Sequence, residues 1–209
     1  TRLIDGRHWT VGEYRTPQNL QRMVEVVKQL HDLPAVEGAF SPFRRVESYA
    51  TQASACNVPF PEDFDLLLKK MQSIEEDQRQ DTSPWQRFCH NDLFSVNFLD
   101  DGNIRIVDWE FAGMGDIYFD LAALVYAYDS DGPLPAELET YLLECYFGTA
   151  SSAHQARLDG MKFMLLFFTA MWGLLHHGLQ LEGTISPFEG FDCWAYAQET
   201  FAAMRVGVR

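Results

Sequence analysis

The chain has 209 residues, 47% of them hydrophobic and 22% charged, and its 16 basic against 30 acidic side chains leave a net charge of −14. That length supports a substantial core, and the composition is that of an ordinary globular protein. The negative charge argues against binding a nucleic-acid backbone or an anionic membrane surface, and it suits small cations.

Thr16-Pro17 opens the first predicted helix, with a capping hydroxyl followed by proline in the first turn. Leu20, Met23, Val24, Val27, Leu30 and His31 then recur at helical spacing, and Pro34 ends the run. His31 on this apolar face reads as a packing histidine. Pro42 to Pro59 is helix-compatible with irregular ends. Phe64, Leu67, Leu68, Met71 and Ile74 mark the next amphipathic helix, whose polar continuation Glu75 to Asp81 reads as a solvated end.

His90-Asn91-Asp92-Leu93-Phe94-Ser95-Val96-Asn97 comes next, followed eleven residues later by Asp108-Trp109-Glu110. Asn97 to Leu99 reads as a short strand, Asp100-Asp101-Gly102-Asn103 as a polar turn, and Ile104 to Val107 as the returning strand. Such a hairpin returns Asp108 towards Asn97. If the extended path continues, Asp108 and Glu110 point to one side of it. A concentrated anionic site of this kind calls for a cation. The alternative is a solvated acidic hairpin beside a structural histidine, and the second acidic motif in register weighs against it. Kinase-type phosphoryl transfer needs a carboxylate to accept the hydroxyl proton, together with an amide oxygen and a second carboxylate to hold magnesium. Asp92, Asn97 and Asp108 can fill those roles in that order.

Gly113-Met114-Gly115 lacks the third glycine of a dinucleotide loop, since Tyr118 stands there, and it reads as a tight turn after Glu110. Asp116 and Asp120 read as structural, with the backbone around His90 as the expected partner of Asp120. Helices are predicted over Ile117 to Tyr128, Ala136 to Phe147, Gln155 to Leu181 and Phe188 to Met204, with Asp131-Gly132-Pro133 as a loop. The longest strongly apolar run, Phe163 to Leu175, is thirteen residues, short of a membrane span. Cys56, Cys89, Cys145 and Cys193 form no CxxC pair and read as buried thiols of a reducing cytosol. His176 and His177 point about 100° apart on a helix, against a shared metal. No Gly-x-Ser-x-Gly is present and no segment resembles a signal peptide.

These residues resemble a known family. Phe88-Cys89-His90-Asn91-Asp92 to Asn97, Ile106 to Gly113, Asp116 and Phe119-Asp120-Leu121-Ala122 are similar to the choline/ethanolamine kinase branch of the aminoglycoside phosphotransferase-like kinases. Asp108-Trp109-Glu110-Phe111-Ala112-Gly113 resembles the Asp-Trp-Glu-Tyr-small-Gly of bacterial choline kinases. Met171-Trp172-Gly173-Leu174 and Phe191 to Glu199 are similar to the segments that enclose the amine in those enzymes. Arg2-Leu3-Ile4-Asp5-Gly6-Arg7 resembles the stretch just after the hinge between lobes. The chain departs from the family at Leu124-Val125-Tyr126-Ala127, where a glutamate is common, and at Thr169, where a tryptophan is common. Asp129 is a candidate for the missing acid.

The resemblance implies an α+β, mainly helical fold: residues 1–209 as a protein kinase-like C-terminal lobe around a short catalytic β-hairpin, without the N-terminal nucleotide-binding lobe. It implies an ATP- and magnesium-dependent phosphotransferase acting on the hydroxyl of choline, ethanolamine or a related amino alcohol. An aminoglycoside or other small-molecule kinase, or a non-catalytic binding lobe, is the alternative. Asp92 is the expected base, Asn97 and Asp108 hold the nucleotide's magnesium, and Glu110 assists the metal or the substrate. Phe111, Trp172 and Tyr196 are the expected amine-facing aromatics, since ring faces attract a quaternary ammonium. A cytoplasmic location, no nucleic-acid or membrane partner, and inactivity of these residues alone complete the expectation.

Overall fold

The computed structural model describes residues 5–81, 85–127 and 132–206. Arg2, Leu3, Ile4, Tyr128, Asp129 and Asp131 lie outside the described residues. The chain divides into two compact units, Thr1–Phe40 with Ser83–Met161, and Ser41–Thr82 with Lys162–Arg209. One of the crossings between them, from Met161 to Lys162, falls inside a helix.

The first unit holds α1 (Val11–Tyr14), α2 (Pro17–His31), β1 (Gln86–Cys89), a 3-10 turn (Ser95–Asn97), β2 (Phe98–Asp100), β3 (Ile104–Ile106), β4 (Gly113–Asp116), α5 (Ile117–Val125) and α6 (Ala136–Phe147). Thr16 caps α2 through the amide of Asn19, with Pro17 in the first turn, as the Thr-Pro pair predicts. Gly148 ends α6 in the left-handed conformation, φ 78°. α2 packs against α6 and β1, and α5 packs against β1.

Two antiparallel ribbons frame the chemistry-bearing loop. β2 pairs with β3 in the register Phe98↔Ile106, Leu99↔Arg105 and Asp100↔Ile104, as the polar turn predicts. The second ribbon departs from the prediction. Gly113 to Asp116 is strand β4, paired with β1 from Cys89↔Gly113 to Gln86↔Asp116, and not a tight turn. The glycine at 115 is needed for space: a Cβ there would lie 2.6 Å from Asn91 Oδ1. Asp116 ends β4, caps α5 through the Tyr118 amide, and meets Arg157 at 2.5 Å. Every residue of α5 is buried, Asp120 included, so α5 carries no polar face.

α7 (Ser152–Leu181) continues from the first unit into the second, which also holds α3 (Pro42–Ala55), α4 (Phe64–Gln80) and α8 (Cys193–Val206). α4 runs to Gln80, and its polar end from Glu75 onward is mostly exposed, as expected of a solvated end. α7 has 30 residues and is long and apolar enough to cross a membrane by length and composition, with 72% of its most apolar window buried inside the protein. Gly178 of α7 lies where a Cβ would be 2.7 Å from Val58 Cγ2, and Gly173 where one would be 2.9 Å from the Cys193 carbonyl, so both permit close backbone approach. α8 begins at Cys193, five residues later than Phe188, because the Asp192 carboxylate caps the amides of Trp194 and Ala195. Phe64 and Phe201 both pack on Phe167. All four cysteines are free thiols; Cys89 and Cys193 are buried, whereas Cys56 and Cys145 are half-buried.

Candidate active site

The loop between β1 and β2 carries Asp92 and is held from below. Asp120, fully buried in α5, accepts the His90 amide on Oδ2 at 2.9 Å and the Asn91 amide on Oδ1 at 2.6 Å. The backbone around His90 is therefore its partner, as its position suggests. Asn91 adopts φ 65°, a left-handed conformation that asparagine tolerates better than most residues. Its side-chain amide donates to the Phe111 carbonyl at 2.9 Å, tying the loop to the segment after Glu110. His90 donates from Nε2 to the Val107 carbonyl at 2.9 Å, and Trp109 packs edge-on against its ring at 4.8 Å.

The hairpin then brings the acidic motif back. The Val107 amide donates to the Asn97 carbonyl at 3.1 Å, which sets Asp108 beside the start of β2. Asn97 is buried and its Nδ2 donates to both the backbone carbonyl and Oδ2 of Asp92, each at 2.8 Å. That leaves the Asn97 Oδ1 acceptor available. Burial pushes the half-buried Asp92 carboxyl up to about 6; Asn97 opposes the rise, and the charges of Asp108, Glu110 and Asp120 add to it. At neutral pH Asp92 remains mostly ionised, with a basicity suited to accepting a proton.

The extended path does not continue through the acidic motif. Asp108 has φ 63°, and the Ala112 amide closes a turn onto the Trp109 carbonyl at 3.1 Å. The alternation expected of Asp108 and Glu110 therefore does not apply, although both charges bear on Asp92. Both are exposed, and neither carboxylate is engaged by a hydrogen bond or ion pair among the described residues. The donor set of one amide oxygen and two carboxylates is all oxygen, the chemistry that magnesium takes. The residues fit such an ion.

The aromatic residues expected at the amine separate into two groups. Phe111, half-buried, meets Phe40 edge-on at 6.1 Å in the first unit. Trp172 and Tyr196, both half-buried, meet each other at 6.4 Å in the second unit, nearly perpendicular. Phe188 and Phe191 extend that cluster, each 41% exposed, and lie 6.0 and 6.1 Å from Trp172. Sequence reasoning did not single out these two; their spacing from Trp172 carries no local period. His176 meets Trp172 at 4.0 Å and His177 meets Trp194 at 5.1 Å, both pairs tilted, and neither histidine falls in a metal-sized cluster among the described residues.

A model of the phosphotransferase enzyme family matches residues 2–154. The LicA protein of Haemophilus influenzae is 31% identical over 114 residues, covering 48% of this chain and 41% of that protein. Ethanolamine kinase 2 of Rattus norvegicus is 26% identical over 153 residues, covering 65% of this chain and 39% of that protein. The matches thus span less than half the length of either relative. A choline/ethanolamine kinase family protein of Mesorhizobium loti has a similar crystal structure, with a TM-score of 0.83 and 27% identity, covering all of this chain and 69% of that one.

Proposed function

The chain belongs to the phosphotransferase enzyme family, and on that premise we propose that it serves an ATP- and magnesium-dependent kinase of choline, ethanolamine or a related amino alcohol in the cytoplasm. The observation that carries the reading is the Asn97 side chain bonded directly to Asp92, with the charges of Asp108 and Glu110 bearing on that carboxylate. Asp92 orients the substrate hydroxyl and takes its proton. Asn97 Oδ1, Asp108 and Glu110 hold magnesium, which neutralises the phosphate charge when bound. Likeness to a choline/ethanolamine kinase family protein and to an ethanolamine kinase supports the amino alcohol. Trp172 and Tyr196 supply ring faces for the cationic head, and Phe111 lies beside the acidic motif.

Kinase chemistry also needs a phosphate-pairing lysine and a covering loop. The four lysines here, Lys28, Lys69, Lys70 and Lys162, all lie on helices. We therefore propose that these 209 residues act as a C-terminal lobe and alone transfer negligible phosphate. The test is phosphoryl transfer by the complete protein with ATP and magnesium, offered choline, ethanolamine and aminoglycosides in parallel. Turnover of choline or ethanolamine is expected. Turnover of an aminoglycoside alone would overturn the substrate, and phosphorylation of none would overturn the kinase reading.

A further inference from the structure

α8 carries aromatic side chains on two faces. Tyr196 joins the Trp172 cluster, whereas Trp194, two residues earlier and so about 200° away around the helix, meets His177 instead. Gln198, one turn further on, shares the Trp194 face. That face borders a groove of about 630 Å³, which is lined also by Pro59, Phe60, Glu62 and Asp63 from the segment leading into α4. Its volume is that of a small-molecule site. Every lining residue belongs to the second unit, and none belongs to the acidic motif or to the Trp172 cluster.

The charges of the groove do not cancel. Arg205 lines it, but Asp63 takes both of its bonds, from Nε and Nη2, each at 2.7 Å. Glu62 is exposed and Gln198 half-buried, and neither side chain is engaged by a hydrogen bond or ion pair among the described residues. The groove therefore holds one uncompensated negative charge and an amide with donors and an acceptor to spare. Phe60, half-buried, gives one ring face to Phe64, stacked at 4.4 Å and 9°, which leaves the other face for the groove it lines. An anion would meet the Glu62 carboxylate and a guanidinium already committed to Asp63. A cation would meet a carboxylate and two aromatic rings.

We propose that this groove binds a small organic ammonium ion bearing a hydroxyl, at a site separate from the Trp172 cluster. Glu62 and the Phe60 and Trp194 rings receive the cationic head, and the Gln198 amide receives the hydroxyl. Such binding needs no phosphoryl transfer, so it stands apart from the phosphotransferase reading.

Trp194 gives the groove its own reporter. Its indole N–H resonance is followed in the 15N-labelled complete protein, assigned by its loss in Trp194→Phe, while choline is added to millimolar concentration. A saturable shift is expected, and it is expected to persist in Trp172→Ala. The neutral carbon isostere of choline should produce little shift. Phe60→Leu is expected to raise the choline Kd read at Trp194 by about twofold to thirtyfold, the span of a cation–π contact. Glu62→Gln should raise it by about twofold to fivefold, as for an exposed charge pair, and added salt should remove that difference. No shift with choline, an equal shift with its isostere, a shift abolished in Trp172→Ala, or a Kd unchanged in both Phe60→Leu and Glu62→Gln would each overturn the site. Should Phe60→Leu not fold, Glu62→Gln decides, since it alters only an exposed side chain. A protein that transfers no phosphate yet shows the Trp194 shift would count against the kinase reading and not against this site; one that phosphorylates choline without the shift would do the reverse.

Discussion

The proposed role of Asp92 asks it to carry a negative charge where burial and three neighbouring carboxylates oppose it. Its carboxyl titrates near 6, above the ordinary range, so the folded state binds that proton more tightly than the unfolded chain does. The stabilisation from the bound proton is fully present below about 4, is lost as pH rises through about 6, and leaves the ionised group a cost at pH 7. Asp92→Asn removes that cost. In metal-free urea unfolding at pH 7 the variant is expected to be about 1–2 kcal/mol more stable than wild type. The same change removes the proposed base, so on that reading turnover of the complete protein should fall by about a hundredfold to ten-thousandfold while nucleotide binding persists. A variant both active and less stable would show that Asp92 is an ordinary structural acid. Opposing signs are what the proposed role predicts: a functional residue holds a conformation and charge that packing alone would not select.

The β2–β3 hairpin decides where Asp108 arrives, and Asp100 anchors it. Arg22 of α2 grips Asp100 with two bonds of 3.0 and 3.1 Å, and the Trp9 indole donates at 2.8 Å. The backbone of Arg7 adds a bridge to the same residue, while Gly6 lets the chain lie where a Cβ would be 2.9 Å from that of Leu99. The Arg22 guanidinium, with Trp9 and the Gly102 amide, holds the Asp100 carboxyl down at about 2 against the opposing effect of burial. Asp100→Ala is expected to cost about 1–3 kcal/mol, the range for charge-assisted bonds that are partly exposed. The folded value is depressed here, so the contribution is present above about pH 4 and is lost as pH falls towards 2. Urea unfolding across that range should show the wild type and the variant converging in acid. A gap that stayed constant down to pH 2 would mean that packing, and not charge, accounts for the loss.

At the scale of the whole molecule, the aromatics proposed to meet the amine, Trp172 and Tyr196, belong to the second unit, and Asp92, Asn97 and Asp108 to the first. Trp172 is the centre of its aromatic cluster, meeting His176, Phe188, Phe191 and Tyr196. Trp172→Ala in the complete protein is expected to weaken choline binding by about 0.5–2 kcal/mol, the range of a cation–π contact. A neutral isostere of choline should bind both proteins nearly equally, which separates charge recognition from general loss of packing. Equal weakening for choline and its isostere, measured by calorimetry, would remove Trp172 from cation recognition.

What could be determined from sequence lies in short-range chemistry. Thr16-Pro17 marks the start of α2, the polar turn at Asp100 to Asn103 implies the hairpin, and that hairpin alone brings Asp108 back to Asn97, eleven residues away. The Asp92–Asn97 pair spans five residues, short enough for one loop to enforce. Periodicity also locates α6 correctly, because its face and its end at Gly148 are local. Tertiary structure decided the rest. β4 pairs with β1 across as many as thirty residues, from Gln86 to Asp116, and the Gly113-Met114-Gly115 stretch carries no alternation to announce a strand. His31 sits at an apolar helical position, and its partners Asp120 and Tyr146 are 89 and 115 residues away. A helical period records which face is buried, but not which distant donor or acceptor satisfies a polar group on that face. Hydrogen bonds between remote elements form only when the whole chain has closed, so the support beneath Asp92 belongs to the fold and not to any segment of it.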